Sequence, residues 1–598
     1  MSEVAEQVKK QLNGGEFLTK ETPYQEVYIR EDLDEEQKMI FDMVRDFIKA
    51  EVLPVYGKIE KQEEGLVPAL LEKAGELGLL GMGIPEEYGG YGKDFNTNSV
   101  VLEAMSLGKT FSLSWGAHIG IGTMPILYFG NEEQKQKYLP KLATGELKAS
   151  YCLTEPGSGS DALAAKTKAV LSEDGQHYIL NGQKMWITNA GFADVFIVFA
   201  QVDGDKFTGF IVEKAFEGVS LGAEEDKLGI KGSSTRQVFF ENVKVPVANL
   251  LGEIGKGHLI AFNILNIGRY KLGLGVIASS KLSSTTAIQY ANERHQFKKP
   301  ISSFGAIQYK LAEQAIRIFA GESAVYRVSD MINQKEKELH ASGQPFQEAI
   351  LGAADEYSIE CAILKFYCSE VLDYVVDETV QVYGGMGYSE EAPAASSYRD
   401  ARINRIFEGT NEINRMLSID MLMRRAMSGK IDLLKAGMAV QKELMGIPDF
   451  GDGETGLFAE EKKAVINAKK AILVAIGGAA QKLMQKLKYE QEIMMNGADM
   501  LAEVFVMESV LLRTQRLVDM YGEEGAAVYI DLMKVYFSDA LERIHNHGKH
   551  AIQSFGEGDE ARIMLMGIKR FTKYPLTNTK QLRRNIAAKL IEANEYCL

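Results

Sequence analysis

Hydrophobic spacing changes period twice along this chain. From Asp32 to Lys148 apolar residues recur three and four apart, as in EEQKMIFDMVRDFIKAEVLP, with turns marked by Gly-Gly and Pro, the pattern of amphipathic helices. Between Ala149 and Gly252 the period falls to two. HYILNG, DVFIVFAQV, FTGFIVE and RQVFFENVKVP alternate, or run short and β-branched, between Asp-Gly and Asn-Gly turns, which is the pattern of antiparallel strands. Helical spacing then returns and persists to Met427. Any fold for this chain must therefore insert a β domain between helical ones.

At 598 residues the chain exceeds what one core supports, because single cores stop growing near ~250–300 residues. The expected fold class is α+β, mainly α. An N-terminal extension (1–31) precedes an N-terminal α domain (32–148), a middle antiparallel β domain (149–252) and a C-terminal α bundle (253–428). A linker (429–456) containing GIPDFGDGETG then leads to an extra α-helical domain (457–598).

Hydrophobic content of 46% with 25% charged residues describes an ordinary globular chain. The excess of 82 Asp+Glu over 67 Lys+Arg, a net charge of -15, argues against nonspecific nucleic-acid binding, which needs a basic footprint. Cys152, Cys361, Cys368 and Cys597 form no CxxC pair, so neither a disulfide framework nor a zinc site is expected. The start, MSEVAEQVKKQLNGGEF, has no apolar signal core. It reads as a bacterial cytoplasmic chain in a reducing compartment. His545, His547 and His550 do not share one helical face, and no metal site is assigned to them.

The tract YCLTEPGSGSDA (Tyr151 to Ala162) lies where helices give way to strands, and its small residues Gly157, Ser158 and Gly159 leave backbone N–H groups open to an anion or a ring. In KMWITNAG, Trp186 offers a stacking face and Thr188 a hydroxyl. RIFEGTNEINR (Arg405 to Arg415) sets the carboxylate of Glu408 beside Gly409 and Thr410 in a segment otherwise built like a helix. With QVYGGMGY (Gln381 to Tyr388), these tracts, in this order and spacing, resemble the acyl-CoA dehydrogenase flavoproteins. The extra C-terminal domain and Phe304-Gly305, where many relatives have Phe-Gln, make the very-long-chain type the nearest resemblance.

That resemblance implies a fold with a C-terminal four-helix bundle, FAD as cofactor, and a named set of site residues. Glu408 matches the base that takes the α proton of the thioester, a task a carboxylate in a water-poor place performs well because desolvation strengthens it as a base. Tyr151, Leu153, Thr154, Gly159, Ser160, Trp186, Ile187 and Thr188 match residues that hold the flavin, and Thr410, Asn411 and Glu412 lie against it. Arg294, Gln381, Gly384 and Gly385 match residues that reach the dinucleotide across a subunit boundary, which implies a homodimer. Ser160, Asn266, Arg269 and Gly409 match positions facing the acyl-CoA. In some relatives the base comes from the place occupied here by Gly268, which cannot serve.

The reaction so implied is dehydrogenation of a long-chain fatty acyl-CoA to a trans-2-enoyl-CoA, with electron-transfer flavoprotein as acceptor. An acyl-CoA oxidase and a non-catalytic scaffold homologue are the alternatives, and the intact Glu408 argues against the second. Gly120 and Gly122 would either open the floor of an acyl tunnel or permit close helix packing. The apolar run Ala471 to Ala480, between lysines, is too short to span a bilayer, which takes ~20 residues. It would lie buried in its own domain or a dimer contact, or rest on a membrane surface as a peripheral contact.

Overall fold

The computed structural model describes residues 11–446 and 455–598. The described residues divide into two compact units, one formed by Leu33–Lys271 with Lys335–Asp355, the other by 11–32, Leu272–Gln334, 356–446 and 455–598.

The first unit begins with the helix Glu35–Phe47, whose start is fixed by a capping box: Asp34 accepts from the Gln37 N–H and the Gln37 side chain accepts from the Asp34 N–H. Val44, Phe47, Leu70, Leu71, Phe111 and Trp115 form the centre of its helical core. The Trp115 indole N–H is satisfied by the Leu79 carbonyl at 3.1 Å, which is what allows so large a ring to be fully buried. His118 fastens this helical part to the sheet. Its Nδ1 accepts the Ala149 N–H at 3.1 Å while Nε2 lies 3.0 Å from the Leu142 carbonyl, so the ring is a neutral Nε2–H tautomer. Burial pushes its pKa down to about 4.

The sheet comprises β1 (Ala149–Cys152), β2 (Lys168–Leu171), β3 (His177–Thr188), β4 (Val195–Val202), β5 (Lys206–Glu213), β6 (Val219–Glu224), β7 (Thr235–Pro246) and β8 (Leu250–Leu251). Their order is β6-β7-β3-β2-β4-β5-β8, with β1 on β4. The expected antiparallel domain needs one refinement. β2–β3, β3–β7, β4–β5, β5–β8 and β6–β7 are antiparallel, but β1 and β2 both run parallel to β4. The strand DVFIVFAQV is buried on both faces, and this explains its unbroken apolar run.

The second unit contains the long helices Gly305–Ala341 (to Gln334) and Ser358–Tyr383, the helix Asn411–Met427, and five C-terminal helices: Ala459–Leu483, Gln491–Gly525, Ala527–Phe555, Gly558–Phe571 and Thr579–Ala593. From residue 11 on, the N-terminal extension is packed into this unit. Gly14 and Gly15 donate their N–H groups to Glu356 and Glu360 at 2.9 and 2.7 Å, a side-chain Cβ at Gly14 would overlap the Glu356 carbonyl, and Gly15 has φ +78°. Glu31 and Asp32 pair with Arg513 and Arg516.

Of the expected linker 429–456, Leu433–Met445 is helical, because the Gly, Pro and Asp residues cluster only beyond it; 447–454 lie outside the described residues. In the apolar run, Ala471, Ile472, Val474, Ala475, Ile476 and Ala479 are buried within the unit. This is the first of the placements considered. His545 and His547 bond Thr572 and Asn496. No helix among the described residues is long and apolar enough to cross a membrane.

Candidate active site in two parts

In the sheet-bearing unit, the loop after β1 folds back on itself, with Glu155 and Ser158 exchanging N–H···O bonds at 3.0 and 3.1 Å. The loop is held by a buried ion pair. Lys184 Nζ on β3 lies 2.6 Å from Glu155 Oε1 and donates to the Leu153 carbonyl at 3.2 Å, while the Met185 N–H bonds the Thr154 carbonyl. Glu155 also accepts the N–H groups of Lys166 and Thr167. Burial opposes ionisation of Glu155, but the Lys184 charge and these hydrogen bonds prevail and hold its carboxyl below the usual range.

The consequence is a preset surface. Just past Lys184 the β3–β7 register shifts, and at this bulge Trp186 takes φ +56° and stays 60% exposed. Bulges re-aim side chains, and a left-handed non-glycine residue costs of order 1–3 kcal/mol. In the loop after β1, a Cβ at Gly157 or Gly159 would meet nothing within 4 Å, so backbone there is open to close approach. Thr188 uses its carbonyl to accept Ser150 Oγ at 2.7 Å, and its hydroxyl makes no hydrogen bond among the described residues. An exposed, strained indole, open backbone in the loop after β1 and a hydroxyl are groups that fit the flat ring system and anionic tail of a flavin dinucleotide.

Not every expected residue faces outward. Ile187 is buried in the sheet core, so only its backbone could meet a ligand. Tyr151 packs its ring edge-on to Phe199 at 5.2 Å. Ser160 is exposed. Asn266 and Arg269, early in the helix Gly257–Glu293, are both buried, with Arg269 Nη1 donating to Asn266 Oδ1 at 2.7 Å. Gly122 meets the Ala149 backbone at 3.0 Å through an added Cβ, whereas Gly120 meets only Lys271 Nζ at 4.0 Å. Close packing accounts for Gly122, and only Gly120 stays open.

In the helical unit, Glu408 lies outside any helix. A 3-10 turn ends at Arg405, and the next helix begins at Asn411 with the Thr410 hydroxyl accepting the Ile413 N–H. Glu408 has φ +56° and Gly409 φ +81°, which a continuous helix cannot accommodate. The expectation of a helical segment is corrected here, and Glu412 shares no helical face with Glu408. Glu412 is solvated in the helix's first turn. Its own backbone N–H and the Thr410 hydroxyl hold its carboxyl low despite some burial, making it a weak base.

The strained turn is clamped from one side. The Asn414 amide donates to the carbonyls of Glu408, Gly409 and Thr410 at 3.4, 2.9 and 3.0 Å. Arg415 then ties this helix to Glu370 and, at 2.7 Å, to Asp499 of the C-terminal helix Gln491–Gly525. Asn411, expected against the flavin, is buried, and its side chain is occupied by Lys365 and Ser369. Neither Asn414 nor the Glu155–Lys184 pair is singled out by sequence reasoning, although all three residues lie inside tracts it selected.

A second patch of this unit carries Arg294 and Gln381. Tyr290 and Tyr383 stack at 4.0 Å, bringing the two tracts together, and Gly384 ends the helix at φ +60°. Arg294, Gln381, Gly384 and Gly385 are exposed, as are Phe297 at 86% and Tyr388 at 90%.

Fold and site together define a mainly helical enzyme with a seat for a flat cofactor and a carboxylate fixed in a strained turn. Comparison with known proteins supplies the family. Acyl-CoA dehydrogenase models match as the N-terminal domain (34–146), the middle domain (150–243) and two C-terminal domains (255–423 and 467–570). A probable acyl-CoA dehydrogenase of Bacillus subtilis is 47% identical over 596 residues, 100% of both chains. The human mitochondrial very long-chain specific acyl-CoA dehydrogenase is 41% identical over 351 residues, 57% of this chain and 51% of that one. The crystal structure of an acyl-CoA dehydrogenase complexed with FAD from Bacillus anthracis matches with TM-score 0.96 at 47% identity, covering 98% of this chain and 100% of the other. The chain belongs to the acyl-CoA dehydrogenase family, and is an oxidoreductase with the extra C-terminal domain.

Proposed function

We propose that this enzyme converts long-chain fatty acyl-CoA to trans-2-enoyl-CoA, with Glu408 as base. The observation that carries the reading is the placement of Glu408 at φ +56° in a turn clamped by Asn414, since a group kept in a strained backbone by its surroundings marks a functional position.

FAD, when bound, supplies the acceptor for the β hydrogen, which leaves as hydride. The chain's own residues do the rest. Trp186 and the loop Tyr151, Leu153, Thr154, Gly159 and Ser160 seat the ring, with Thr188 donating its hydroxyl. Arg294, Gln381, Gly384 and Gly385 meet the dinucleotide of a second copy in a homodimer, consistent with their exposure. Glu408 takes the α proton, and the backbone N–H beside Gly409 polarises the thioester carbonyl, so that negative charge developing on oxygen is stabilised by a fixed donor. Asn266 and Arg269 position the CoA arm. Electron-transfer flavoprotein is the expected partner for reoxidation.

The test is anaerobic titration of the yellow holoenzyme with acyl-CoAs of rising chain length. Bleaching that is strongest with long chains is expected. Absence of bleaching with every acyl-CoA would refute the enzyme reading, bleaching only with short chains would refute the long-chain assignment, and rapid oxygen uptake with substrate would point to an oxidase.

A further inference from the structure

Two neighbouring arginines on the last helix, Thr579–Ala593, behave oppositely. Arg583 is buried and paired with Glu313 and Asp539, each at 2.6 Å. Arg584 is exposed and makes no hydrogen bond or ion pair among the described residues. The residues one helical turn away on either side, Lys580, Gln581, Ala587 and Ala588, carry no acid.

Arg584 nevertheless has a defined place. A Cβ added at Gly305 would lie 3.1 Å from Arg584 Nη2, so the guanidinium occupies the space a side chain at 305 would need. The same C-terminal segment grips the other end of the tract. Asn292 Nδ2 donates to the Ile591 carbonyl at 3.0 Å and to Asn594 Oδ1 at 2.9 Å. Between these two points the chain carries Arg294, Lys298 and Lys299, all exposed and without an acidic partner among the described residues. Arg294, Lys298 and Lys299 outnumber the tract's one carboxylate, Glu293, and such an excess of positive charge is unfavourable in the free protein, while Arg is suited to phosphate through its planar fork of donors.

We propose that Arg584 is a further cofactor-binding residue: the extra C-terminal domain supplies, over the bare Gly305, a cation for the diphosphate of the dinucleotide that Arg294 also meets. This rests on the FAD reading above. It gives the C-terminal domain a direct part in holding the cofactor.

The test is the rate of flavin release from dilute holoenzyme, followed by the fluorescence of free flavin. A charge-assisted hydrogen bond contributes about 1.5–3 kcal/mol, so Arg584→Ala should release flavin at least about 10-fold faster, with a weaker dependence on salt. Arg584→Lys should fall between, and Gly305→Gln added to Arg584→Ala should slow release again by filling the vacated space with a polar group. If Arg584→Ala releases flavin at the wild-type rate while Arg294→Ala releases it faster, Arg584 has no such role and the FAD reading stands. If Arg584→Ala instead raises only the KM for acyl-CoA, the anion is that of CoA and the proposal is wrong. If neither Arg294→Ala nor Trp186→Ala changes release, the underlying FAD reading fails.

Discussion

Lys184 and Glu155, 29 residues apart in sequence, form an ion pair at 2.6 Å with both side chains removed from water. The pair joins a strand to the loop before it and thereby fixes the step at which Trp186 turns outward. Its energetics are those of a buried pair, in which losing one member leaves an uncompensated charge.

Lys184→Met should therefore destabilise the protein by about 3–5 kcal/mol and loosen the flavin. Glu155 additionally accepts two backbone N–H groups, each costing about 1–3 kcal/mol if orphaned. Hence the double variant Lys184→Met with Glu155→Leu should not regain stability; a return to the wild-type melting temperature would mean the pair is a charge contact alone. Because the folded Glu155 carboxyl is depressed from 4.5, its contribution is complete above that value and is lost as pH falls through the lower folded one.

Glu408→Gln keeps the shape of the side chain and removes its basicity. The variant should remain yellow and bind acyl-CoA, while anaerobic bleaching slows by about 10²–10⁴-fold, the usual share of a general base. Bleaching at the wild-type rate would place the base elsewhere.

Asn414→Ala removes the donor shared by three carbonyls of the Glu408 turn. The expected signature is a fall in kcat of at least about 10-fold with KM and flavin retention little changed, since a small misplacement of a reacting group is enough to slow chemistry. A general loss of flavin and substrate binding in parallel would show instead that Asn414 only supports folding.

His118 sets a pH response. Its folded pKa of about 4 lies below the ordinary 6.5, so the unfolded chain binds the extra proton between those values. Stability should therefore be complete above about pH 6.5 and decline by roughly 3 kcal/mol as pH falls to about 4. His118→Gln should lower the melting temperature at pH 7.5 and flatten its pH dependence across that window; an unchanged slope would assign the acid sensitivity to carboxylates.

What could be read in advance was local. The alternation in HYILNG depends on one face of a strand being buried, and the unbroken run in DVFIVFAQV on burial of both. Glu408 was harder, since Ile406, Phe407 and Ile413 carry apolar spacing compatible with a helix, while the break depends on the Asn414 amide finding three carbonyls. The parallel pairing of β1 on β4 and the docking of Gly15 on Glu360 join residues far apart in sequence, where no periodic signal reaches. Asn411 was placed by resemblance against the cofactor, but its side chain is drawn inward by Lys365, a partner visible only once the helices are packed.

Gly120 and Gly122 separate two uses of glycine within one turn. At Gly122 an added Cβ would sit 2.7 Å from the Ala149 side chain and 3.0 Å from its backbone, so Gly122→Ala must push β1 away and should destabilise by about 1–3 kcal/mol, as overpacking does. At Gly120 the nearest atom is Lys271 Nζ at 4.0 Å, the far end of a long side chain. Gly120→Met should fold normally and, if this opening receives the acyl chain, lower kcat/KM for long acyl-CoAs while sparing short ones. An equal effect on all chain lengths would remove Gly120 from the substrate path, and the length preference would then have to be set by other residues.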